Sequence, residues 1–190
     1  MPFSVFIDRD GTLNDDSGYV GNPSGVVLIE GAAAAIKRLN KAGVKAVVVS
    51  NQSGVARGKF TLQDAEAVNK KLIELLAAEG ARLDGIYFCP HHPDDGCGCR
   101  KPKTGLVVKA AKELGLDVGR SYVVGDKASD IELARNLGPS VKAALVLTGS
   151  GEAERGRLSF QPEFTASDIF QAIEWLIADV RRRKAVNRES

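Results

Sequence analysis

The sequence predicts an α/β fold, a Rossmann-like and mostly parallel sheet of about five or six strands with helices packed on both faces. Short apolar runs alternate along the chain with amphipathic stretches of about ten or more residues, and a glycine follows most of these stretches. A strand followed by a helix of this length returns to the sheet through a right-handed crossover, which makes neighbouring strands parallel. A chain of 190 residues, 44% of them hydrophobic, suits one globular domain, so we expect a single domain over residues 1–190.

Five apolar runs have the length and composition of strands: residues 3–7, 44–49, 85–88, 122–124 and 143–147. Between them, four amphipathic stretches have the spacing of helices: residues 31–42, 61–79, 104–114 and 129–137. Each of these four stretches is followed directly by glycine, a common signal for the C-terminal end of a helix. A last helix is expected from about Ser167, whereas residues 148–159 show no clear pattern and predict the least ordered internal segment.

Composition and charge exclude several classes of protein. The chain has 26 Lys and Arg against 24 Asp and Glu, and a net charge of +2 is too small to indicate nucleic acid or an anionic membrane as the main partner. No N-terminal targeting pattern and no run near the roughly 18 apolar residues that cross a bilayer are found, which predicts a cytoplasmic protein. No sustained heptad pattern appears, so we expect a monomer. The basic cluster at residues 181–184 predicts a solvated helix end.

Polar side chains follow four of the predicted strands. The carboxyl ends of parallel strands lie at one edge of the sheet, where α/β proteins bind their ligands, so these side chains are expected to converge. They are Asp8 and Asp10 after the first strand, Ser50, Asn51, Gln52 and Ser53 after the second, Arg100 and Lys101 beyond the third, and Asp126, Lys127 and Asp130 after the fourth.

The acids at this edge predict a bound cation. Two carboxylates ~4 Å apart repel each other by about 4 kcal/mol at an effective dielectric constant of ~20. Mg²⁺ with oxygen ligands would offset this repulsion and would also bind a phosphate oxygen. A single Asp at a strand end is more often a helix cap, but three such strand ends together with a hydroxyl and a lysine predict a phosphoryl-transfer site.

Three cysteines and a histidine lie close together after the third strand. Their spacing, Cys89-x-His91 and Cys97-x-Cys99, offers the three thiolates and one imidazole of a four-coordinate structural zinc site. An odd number of cysteines in one loop suits a metal better than a disulfide. His92 is the alternative to His91 as a ligand, and a flexible loop with reduced thiols is the alternative to a metal. A filled Zn²⁺ site would rigidify the loop that carries Arg100 and Lys101.

Four motifs, in this order along the chain, resemble those of the haloacid dehalogenase superfamily of phosphohydrolases. The superfamily's first motif is Asp-x-Asp-Gly-Thr after the first strand, and its later motifs are a Ser or Thr, a basic residue and an acidic pair. The matching residues, in motif order, are Asp8, Asp10, Gly11 and Thr12, then Ser50, then Lys101, and last Asp126 with Asp130.

This resemblance implies a role for each residue. Asp8 would be the nucleophile and would form an aspartyl-phosphate. Asp10 would protonate the leaving oxygen and then take a proton from water, which needs a raised pKa, and neighbouring carboxylates are expected to raise it. Ser50 and Lys101, with the adjacent Arg100, would stabilise the phosphoryl oxygens. The implied magnesium ligands are Asp8, the backbone carbonyl of Asp10, and Asp126, with Asp130 placed behind them.

Within the superfamily, residues 3–149 are similar to the D-glycero-D-manno-heptose 1,7-bisphosphate 7-phosphatases and the related histidinol-phosphate phosphatases. The similarity is carried by DRDGTLN, SNQSGVARG, CRKP, GDKxSD and the Cys/His pairs. It implies hydrolysis of the C7 phosphate in nucleotide-activated heptose biosynthesis, with histidinol phosphate as the alternative substrate. The implied substrate contacts are Asp16, Ser17, Gly18, Tyr19, Ser50, Asn51, Gln52, Ser53, Arg100, Lys101 and Lys127.

No insertion is long enough for a folded cap domain, because neither residues 11–31 nor residues 60–83 leave room for one beside the predicted elements. Short loops, including those with Arg57 and Lys59, would therefore provide specificity, which suits a small, charged sugar phosphate. A hypothesis from another class is a zinc-clipped binding module with this fold and no turnover. It is disfavoured because every chemical position of the four motifs is filled.

Overall fold

The structure, a computed structural model, describes residues 2–189 and has helices on both faces of one sheet. The strands are β1 (Ser4–Ile7), β2 (Lys45–Asn51), β3 (Gly85–Cys89), β4 (Ser121–Gly125), β5 (Lys142–Val146) and β6 (Phe164–Ala166). The helices are α1 (Ala32–Ala42), α2 (Leu62–Ala78), α3 (Gly105–Leu114), α4 (Ala128–Leu137), α5 (Gly151–Arg155) and α6 (Ile169–Glu189). The strand order is β3-β2-β1-β4-β5-β6 and every pair is parallel, which confirms the predicted α/β class.

Two apolar cores form because alternate residues of each strand face opposite sides of the sheet. Val5 and Ile7 of β1 pack in the core that includes α1, α2 and α6. Phe6, between them, packs in the core that includes α3 and α4. Strands covered on both faces carry continuous apolar runs rather than an alternating pattern, which is what β1, β2, β4 and β5 show.

Local sequence signals define the helix ends, and the four predicted helices agree with the structure to within one residue at each end. Gly43 and Gly115 follow α1 and α3 with φ of 69° and 64°, a left-handed backbone that glycine adopts without steric cost. Thr61 precedes α2 in a capping box: its hydroxyl accepts the Asp64 N–H at 3.1 Å, and the Asp64 carboxylate accepts the Thr61 N–H at 2.8 Å.

Residues 148–159 differ from the sequence prediction, because they form a tight turn and helix α5. Contacts with neighbouring loops hold this segment in place. The Thr148 hydroxyl donates to the Gly11 carbonyl at 2.7 Å, the Ser150 N–H donates to the Asp126 carboxylate at 2.8 Å, and the Glu154 carboxylate accepts the Ala128 N–H at 2.9 Å. Strand β6 lies at the sheet edge and is not among the five predicted runs, since it has only three residues.

The predicted last helix is α6, and its basic end is not solvated throughout. The Arg183 guanidinium lies 5.2 Å from the ring centre of Phe3 and 5.6 Å from that of Tyr122, and it donates a hydrogen bond to the Tyr122 hydroxyl at 3.3 Å. Part of the basic cluster therefore packs on aromatic rings. None of the described helices is long and apolar enough to cross a bilayer.

The edge of the sheet at the carboxyl ends of the strands is open. Among the described residues, 11–31 contain isolated bridges and one short turn of 3₁₀ helix, Pro23–Gly25, while 60–83 are occupied mainly by α2. Neither segment forms a separate cap over this edge, as predicted. No separate domain therefore covers the residues that follow β1, β2 and β4 or those in the loop after β3.

Candidate active site

Asp8 follows β1 directly and forms an ion pair with Lys101, from the loop after β3. The Lys101 ammonium donates to Asp8 Oδ1, to Asp130 Oδ1 and to the Val49 carbonyl, each at 2.7 Å. Asp8 and Lys101 are each 4% exposed. Burial would raise the pKa of Asp8, but the ammonium groups of Lys101 and Lys127 outweigh it and hold this pKa below its ordinary value. Asp8 is therefore an anion in this environment.

Asp126, which follows β4, has one carboxylate oxygen without a partner. Its Oδ2 accepts the Ser150 N–H at 2.8 Å, whereas its Oδ1 is buried and has no hydrogen-bond partner. Burial, and next the negative charge of Asp8, raise the pKa of Asp126 to about 7. One oxygen from each of Asp8, Asp126 and Asp130 lies within 4.8 Å of the others. Hard oxygens this closely spaced fit a divalent cation such as Mg²⁺.

Asp130 lies on the first turn of α4 and is fully buried. One of its oxygens accepts the Lys101 ammonium, and the other accepts the Lys127 N–H at 3.1 Å, which also caps α4. Burial raises the pKa of Asp130 to about 6, although the charge of Lys101 acts in the opposite direction. In this structure Asp130 holds Lys101 in place.

The Asp10 carboxylate is surrounded by hydrogen-bond donors rather than by other carboxylates. Its Oδ1 accepts from Arg9 Nε and from Asn14 Nδ2, both at 3.0 Å. Its Oδ2 accepts from Arg9 Nη2 at 2.9 Å and from Gln52 Nε2 at 2.7 Å. The donors within hydrogen-bond distance of Asp10 are thus Arg9, Asn14 and Gln52.

The residues after β2 connect the other groups of the site. Ser50 is buried, and its hydroxyl accepts a hydrogen bond from Gln52 Nε2 at 2.7 Å, so Gln52 bridges Ser50 and Asp10. The Asn51 side chain makes two hydrogen bonds to the backbone of Lys101. Its Oδ1 accepts the Lys101 N–H at 2.9 Å, and its Nδ2 donates to the Lys101 carbonyl at 3.1 Å. Asn51 thus aligns the loop that carries Lys101.

A cavity of about 340 Å³ opens beside these residues. Of the predicted substrate contacts, those that line it are Asp16, Gly18, Tyr19, Asn51, Gln52, Ser53, Arg100 and Lys127, together with Asp10, Gly54 and Ser129. Ser17 is exposed outside the cavity lining, and Ser50 and Lys101 are buried outside it. Arg57 and Lys59 are exposed and also lie outside this lining.

Two cations reach this cavity. Lys127 forms an ion pair with Asp16 at 3.1 Å. Burial would lower the pKa of Lys127, but the negative charges of Asp8, Asp126 and Asp16 raise it above its ordinary value. The Arg100 guanidinium has one buried nitrogen, Nη1, without a hydrogen-bond partner. An anionic group of a ligand would satisfy that nitrogen.

The Cys/His cluster is compact. Cys99 Sγ lies 3.1 Å from Cys89 Sγ, 3.5 Å from Cys97 Sγ and 3.2 Å from His91 Nδ1. Ligands of a tetrahedral Zn²⁺ site, with bonds of about 2.0–2.3 Å, lie roughly 3.3–3.8 Å apart. The observed separations are within a few tenths of an ångström of that range, so these four atoms fit one metal ion after a small adjustment. His92 directs its Nδ1 toward Asp94 instead, 3.3 Å from the carboxylate, and is therefore outside the cluster.

The turn after β5 also belongs to the site, although its sequence did not predict this. Gly149, at φ 56°, packs so closely on Gly11 and Asp126 that a Cβ added to it would overlap the Asp126 carboxylate and would lie 2.5 Å from Gly11 Cα. The signal for this turn is the sequence Thr-Gly-Ser-Gly directly after an apolar run, which indicates a backbone that approaches another group closely.

Comparisons with known proteins show which family this chain belongs to. Residues 98–172 match the model of the HAD-hydrolase-like family. D-glycero-D-manno-heptose-1,7-bisphosphate 7-phosphatase from Thermosynechococcus vestitus is 42% identical over 194 aligned residues, covering 95% of this chain and 98% of that protein. The chain belongs to the HAD-like hydrolases. D-glycero-beta-D-manno-heptose-1,7-bisphosphate 7-phosphatase from Escherichia coli K12 is another relative, 43% identical over 77% of this chain and 80% of its own length.

The fold of this HAD-like hydrolase matches a solved structure over nearly its whole length. The crystal structure of D,D-heptose 1,7-bisphosphate phosphatase from B. bronchiseptica, complexed with magnesium and phosphate, superposes with a TM-score of 0.86 and 34% identity. The match covers 94% of this chain and 99% of that one. HAD phosphatases generally use Mg²⁺, and the three buried carboxylates of this HAD-like hydrolase provide ligand atoms of the required type.

Proposed function

We propose that this chain is a magnesium-dependent phosphatase that removes the C7 phosphate of D-glycero-D-manno-heptose 1,7-bisphosphate, a step in nucleotide-activated heptose biosynthesis. The observation that carries the proposal is the arrangement of Asp8, which forms an ion pair with Lys101 and has a carboxylate oxygen within 4.8 Å of one from Asp126. The relatives named above, which are heptose bisphosphate phosphatases, support the choice of substrate.

The first chemical step uses Asp8 as the nucleophile. One of its carboxylate oxygens attacks the phosphorus, the bond from phosphorus to the C7 oxygen breaks, and the proton of Asp10 moves to that leaving oxygen. The Lys101 ammonium, which donates a hydrogen bond to Asp8, stabilises the negative charge of the transferred phosphoryl group together with Ser50 and Arg100. The product is an aspartyl-phosphate on Asp8 and a sugar that keeps its C1 phosphate.

The second step restores the enzyme. Asp10, now deprotonated, takes a proton from a water molecule, whose oxygen attacks the phosphorus. The bond from phosphorus to the Asp8 oxygen breaks and inorganic phosphate leaves. Asp10 lines the cavity, and its position beside Gln52 and Asn14 keeps it close to the reacting groups in both steps.

The magnesium ion would be held by Asp8, the backbone carbonyl of Asp10, and Asp126. Asp130 would not bind the ion directly but accepts a hydrogen bond from the Lys101 ammonium. When bound, the cation supplies charge neutralisation among the carboxylates and polarises phosphoryl oxygens. Asp126 has an oxygen free for this role, since Oδ1 has no hydrogen-bond partner while Oδ2 accepts the Ser150 N–H. The same residues would repel one another without a cation, which makes a dication the natural occupant.

The remaining substrate contacts follow from the cavity. Arg100 and Lys127 are the cations that reach it, and they suit the second phosphate and the hydroxyls of a small, highly charged sugar. Histidinol phosphate is the second candidate substrate, since His91 and Cys97 are separated by only five residues, a short form of this loop. Arg100, which has a buried nitrogen without a partner, favours the bisphosphate over histidinol phosphate.

We further propose that Cys89, His91, Cys97 and Cys99 bind one structural Zn²⁺. With four protein ligands the ion has no open position for substrate, so its role is to fix the loop before Arg100 and Lys101. A single domain over residues 1–190, a monomeric state and a cytoplasmic location complete the proposal. No nucleic acid or membrane is expected as a partner, in keeping with the small net charge.

The proposal is tested by measuring phosphate release, with added Mg²⁺, from both anomers of heptose 1,7-bisphosphate, from other sugar bisphosphates and from histidinol phosphate. We expect the highest kcat/KM for a heptose bisphosphate. Asp8→Asn should remain folded and lose hydrolysis. A preference for histidinol phosphate would make this chain an enzyme of the second kind, and wild-type protein that hydrolyses none of these compounds would indicate the binding module.

A further inference from the structure

Arg9 stands between the two catalytic carboxylates in the sequence, and no step of the proposed mechanism uses it. Its side chain is fully buried, with no solvent exposure, at the end of β1. A buried guanidinium is costly to desolvate and needs compensating partners. The guanidinium donates three hydrogen bonds, two to the Asp10 carboxylate and one to the Asn69 side-chain oxygen.

Arg9 is the donor that fixes the plane of the Asp10 carboxylate. Its Nε binds Oδ1 at 3.0 Å and its Nη2 binds Oδ2 at 2.9 Å, a two-point contact between planar groups. Asn14 and Gln52 each bind only one of the two oxygens. Neither of them alone prevents rotation of the carboxylate about its last side-chain bond, whereas the paired contact with Arg9 does.

The guanidinium is itself anchored from the other side. Arg9 Nη1 donates to Asn69 Oδ1 at 2.9 Å, and Asn69 is a buried residue in the middle of α2, sixty positions away in the sequence. A buried amide in an otherwise apolar helix face is explained by this contact, because a polar group is buried at little cost only when it is hydrogen-bonded. A chain of hydrogen bonds from Asn69 through Arg9 therefore connects α2 to the carboxylate of Asp10.

We propose that Arg9, anchored by Asn69, is a positioning residue that holds the Asp10 carboxyl in the orientation for proton transfer to the leaving oxygen. Arg9 does not line the cavity and acts only through Asp10. This inference rests on the proposed function, in which Asp10 is the proton donor. A positioned proton donor accelerates a reaction by roughly 10²–10⁴-fold, so misorientation of Asp10 should produce a loss within that range.

The inference predicts a loss that depends on the leaving group. A sugar alkoxide is a poor leaving group and needs the proton of Asp10, whereas p-nitrophenolate leaves readily without one. We expect Arg9→Lys, which keeps the charge but not the two-point contact, to lower kcat/KM for the sugar phosphate about 100-fold and for p-nitrophenyl phosphate less than about 10-fold. Asp10→Asn removes the proton donor itself, so its selective loss of kcat/KM is the largest that misorientation of Asp10 could cause.

Two variants of Asn69, the residue that anchors Arg9, test the proposal even if Arg9→Lys does not fold. Asn69→Ala should show the same selective loss of kcat/KM at smaller magnitude. Asn69→Asp, which keeps an oxygen acceptor for Arg9, should retain most of the wild-type activity on the sugar phosphate. Circular dichroism and thermal unfolding establish that each variant is folded. A structural role alone would lower kcat/KM by the same factor for both substrates.

The outcomes separate the inference from the proposed function. If wild-type protein and Asp10→Asn differ selectively on the sugar phosphate while Arg9→Lys and Asn69→Ala lose activity equally on both substrates, or lose none, the role of Arg9 is overturned and the function stands. If wild-type protein hydrolyses neither substrate, the proposed function is overturned and this inference with it. A selective loss in the folded variants supports both.

Discussion

Asp126 is a buried carboxylate whose Oδ1 has no hydrogen-bond partner and whose nearest charged neighbours include Asp8. Such a group destabilises a folded protein unless something compensates it, because its charged form is removed from water and faces another anion. The raised pKa, about 7, expresses this cost. At the scale of single residues, the site is therefore arranged for a cation rather than for the stability of the metal-free chain.

We predict that Asp126→Asn stabilises the metal-free protein while it removes the response to magnesium. Loss of one negative charge beside Asp8 should raise the free energy of unfolding by about 1 kcal/mol, which is roughly 2–4 °C in Tm for a chain of this size. The measurement is thermal unfolding in magnesium-free buffer without chelator, followed by titration with Mg²⁺. Wild-type protein should gain Tm on titration.

The control for this charge change is Glu74→Gln, an exposed position on α2, which should alter neither Tm nor the magnesium response. A metal-free Asp126→Asn protein less stable than wild type, or one with an undiminished magnesium response, would contradict the prediction.

Gly149 offers a second prediction at this scale, since its missing side chain leaves room for Asp126 and Gly11. Gly149→Ala should displace Asp126 and lower kcat/KM by about 100-fold, the effect expected from a misplacement near 1 Å. It should also lose on the order of 1 kcal/mol of stability from its positive φ. Gly115→Ala separates the two effects, because Gly115 also has a positive φ, 64°, with nothing within 4 Å of the added Cβ. Equal activity loss in both variants would refute the proposed packing role.

At the scale of elements, Asp84 ties edge strand β3 to β2 at the end of the sheet opposite the site. Its Oδ1 accepts from Lys45 Nζ and Arg82 Nη1, both at 2.9 Å, and its Oδ2 accepts the Ala46 N–H at 2.9 Å. Burial would raise the pKa of Asp84, but the hydrogen bonds from Lys45 and Ala46 and the charges of Lys45 and Arg82 outweigh it and lower this pKa.

This lowered pKa predicts a pH-dependent contribution to stability. A group whose pKa is lower in the folded state stabilises the fold at pH values above its ordinary pKa, 3.8, and loses this effect as the pH falls through the folded-state value. Asp84→Asn should therefore lower the free energy of unfolding by about 1 kcal/mol at pH 7, since the partly exposed lysine and arginine limit the effect.

Urea unfolding of wild-type protein and Asp84→Asn at several pH values tests this prediction. The difference between the two proteins should be constant from pH 7 to about 5 and should shrink below the ordinary pKa of an Asp. Glu66→Gln, an exposed charge change on α2, provides the reference at each pH. A difference between wild type and Asp84→Asn that is unchanged at the lowest pH would show that the carboxylate charge is not responsible.

At the scale of the whole molecule, five of the six described strands and the ends of α1 to α4 could be predicted from the sequence because their signals are local. Apolar runs, helical spacing and glycine caps lie within each element, and parallel strands bring Asp8, Asp126 and the residues after β2 to one edge. The surroundings of Asp10 were not readable. The direction of its side chain depends on Arg9, which in turn depends on Asn69, and no local pattern predicts a contact between buried polar groups sixty positions apart.

The Cys/His cluster ties the loop between β3 and α3 to the sheet. Cys89 ends β3 and pairs in register with Asn51 of β2, the residue whose side chain binds the Lys101 backbone. The Lys103 ammonium closes the loop, donating to the carbonyls of Gly96 and Cys97 at 2.7 and 2.8 Å. A metal ion in the cluster would therefore help to hold the Lys101 ammonium at Asp8, because the segment between them is also fixed by the contacts of Asn51 and Lys103.

Cys97→Ser tests this connection. Replacing a thiolate by a hydroxyl removes a zinc ligand, so elemental analysis should show zinc falling from about one ion per chain in the wild type, and Tm should fall because structural zinc contributes folding energy. We also expect kcat/KM to fall by about 10-fold or more, since Lys101 would lose its alignment with Asp8. Asp94→Ala, in the same loop with its side chain 89% exposed, should retain zinc, Tm and activity. A Cys97→Ser protein that loses zinc yet keeps wild-type Tm and kcat/KM would show that the loop holds Lys101 without the metal.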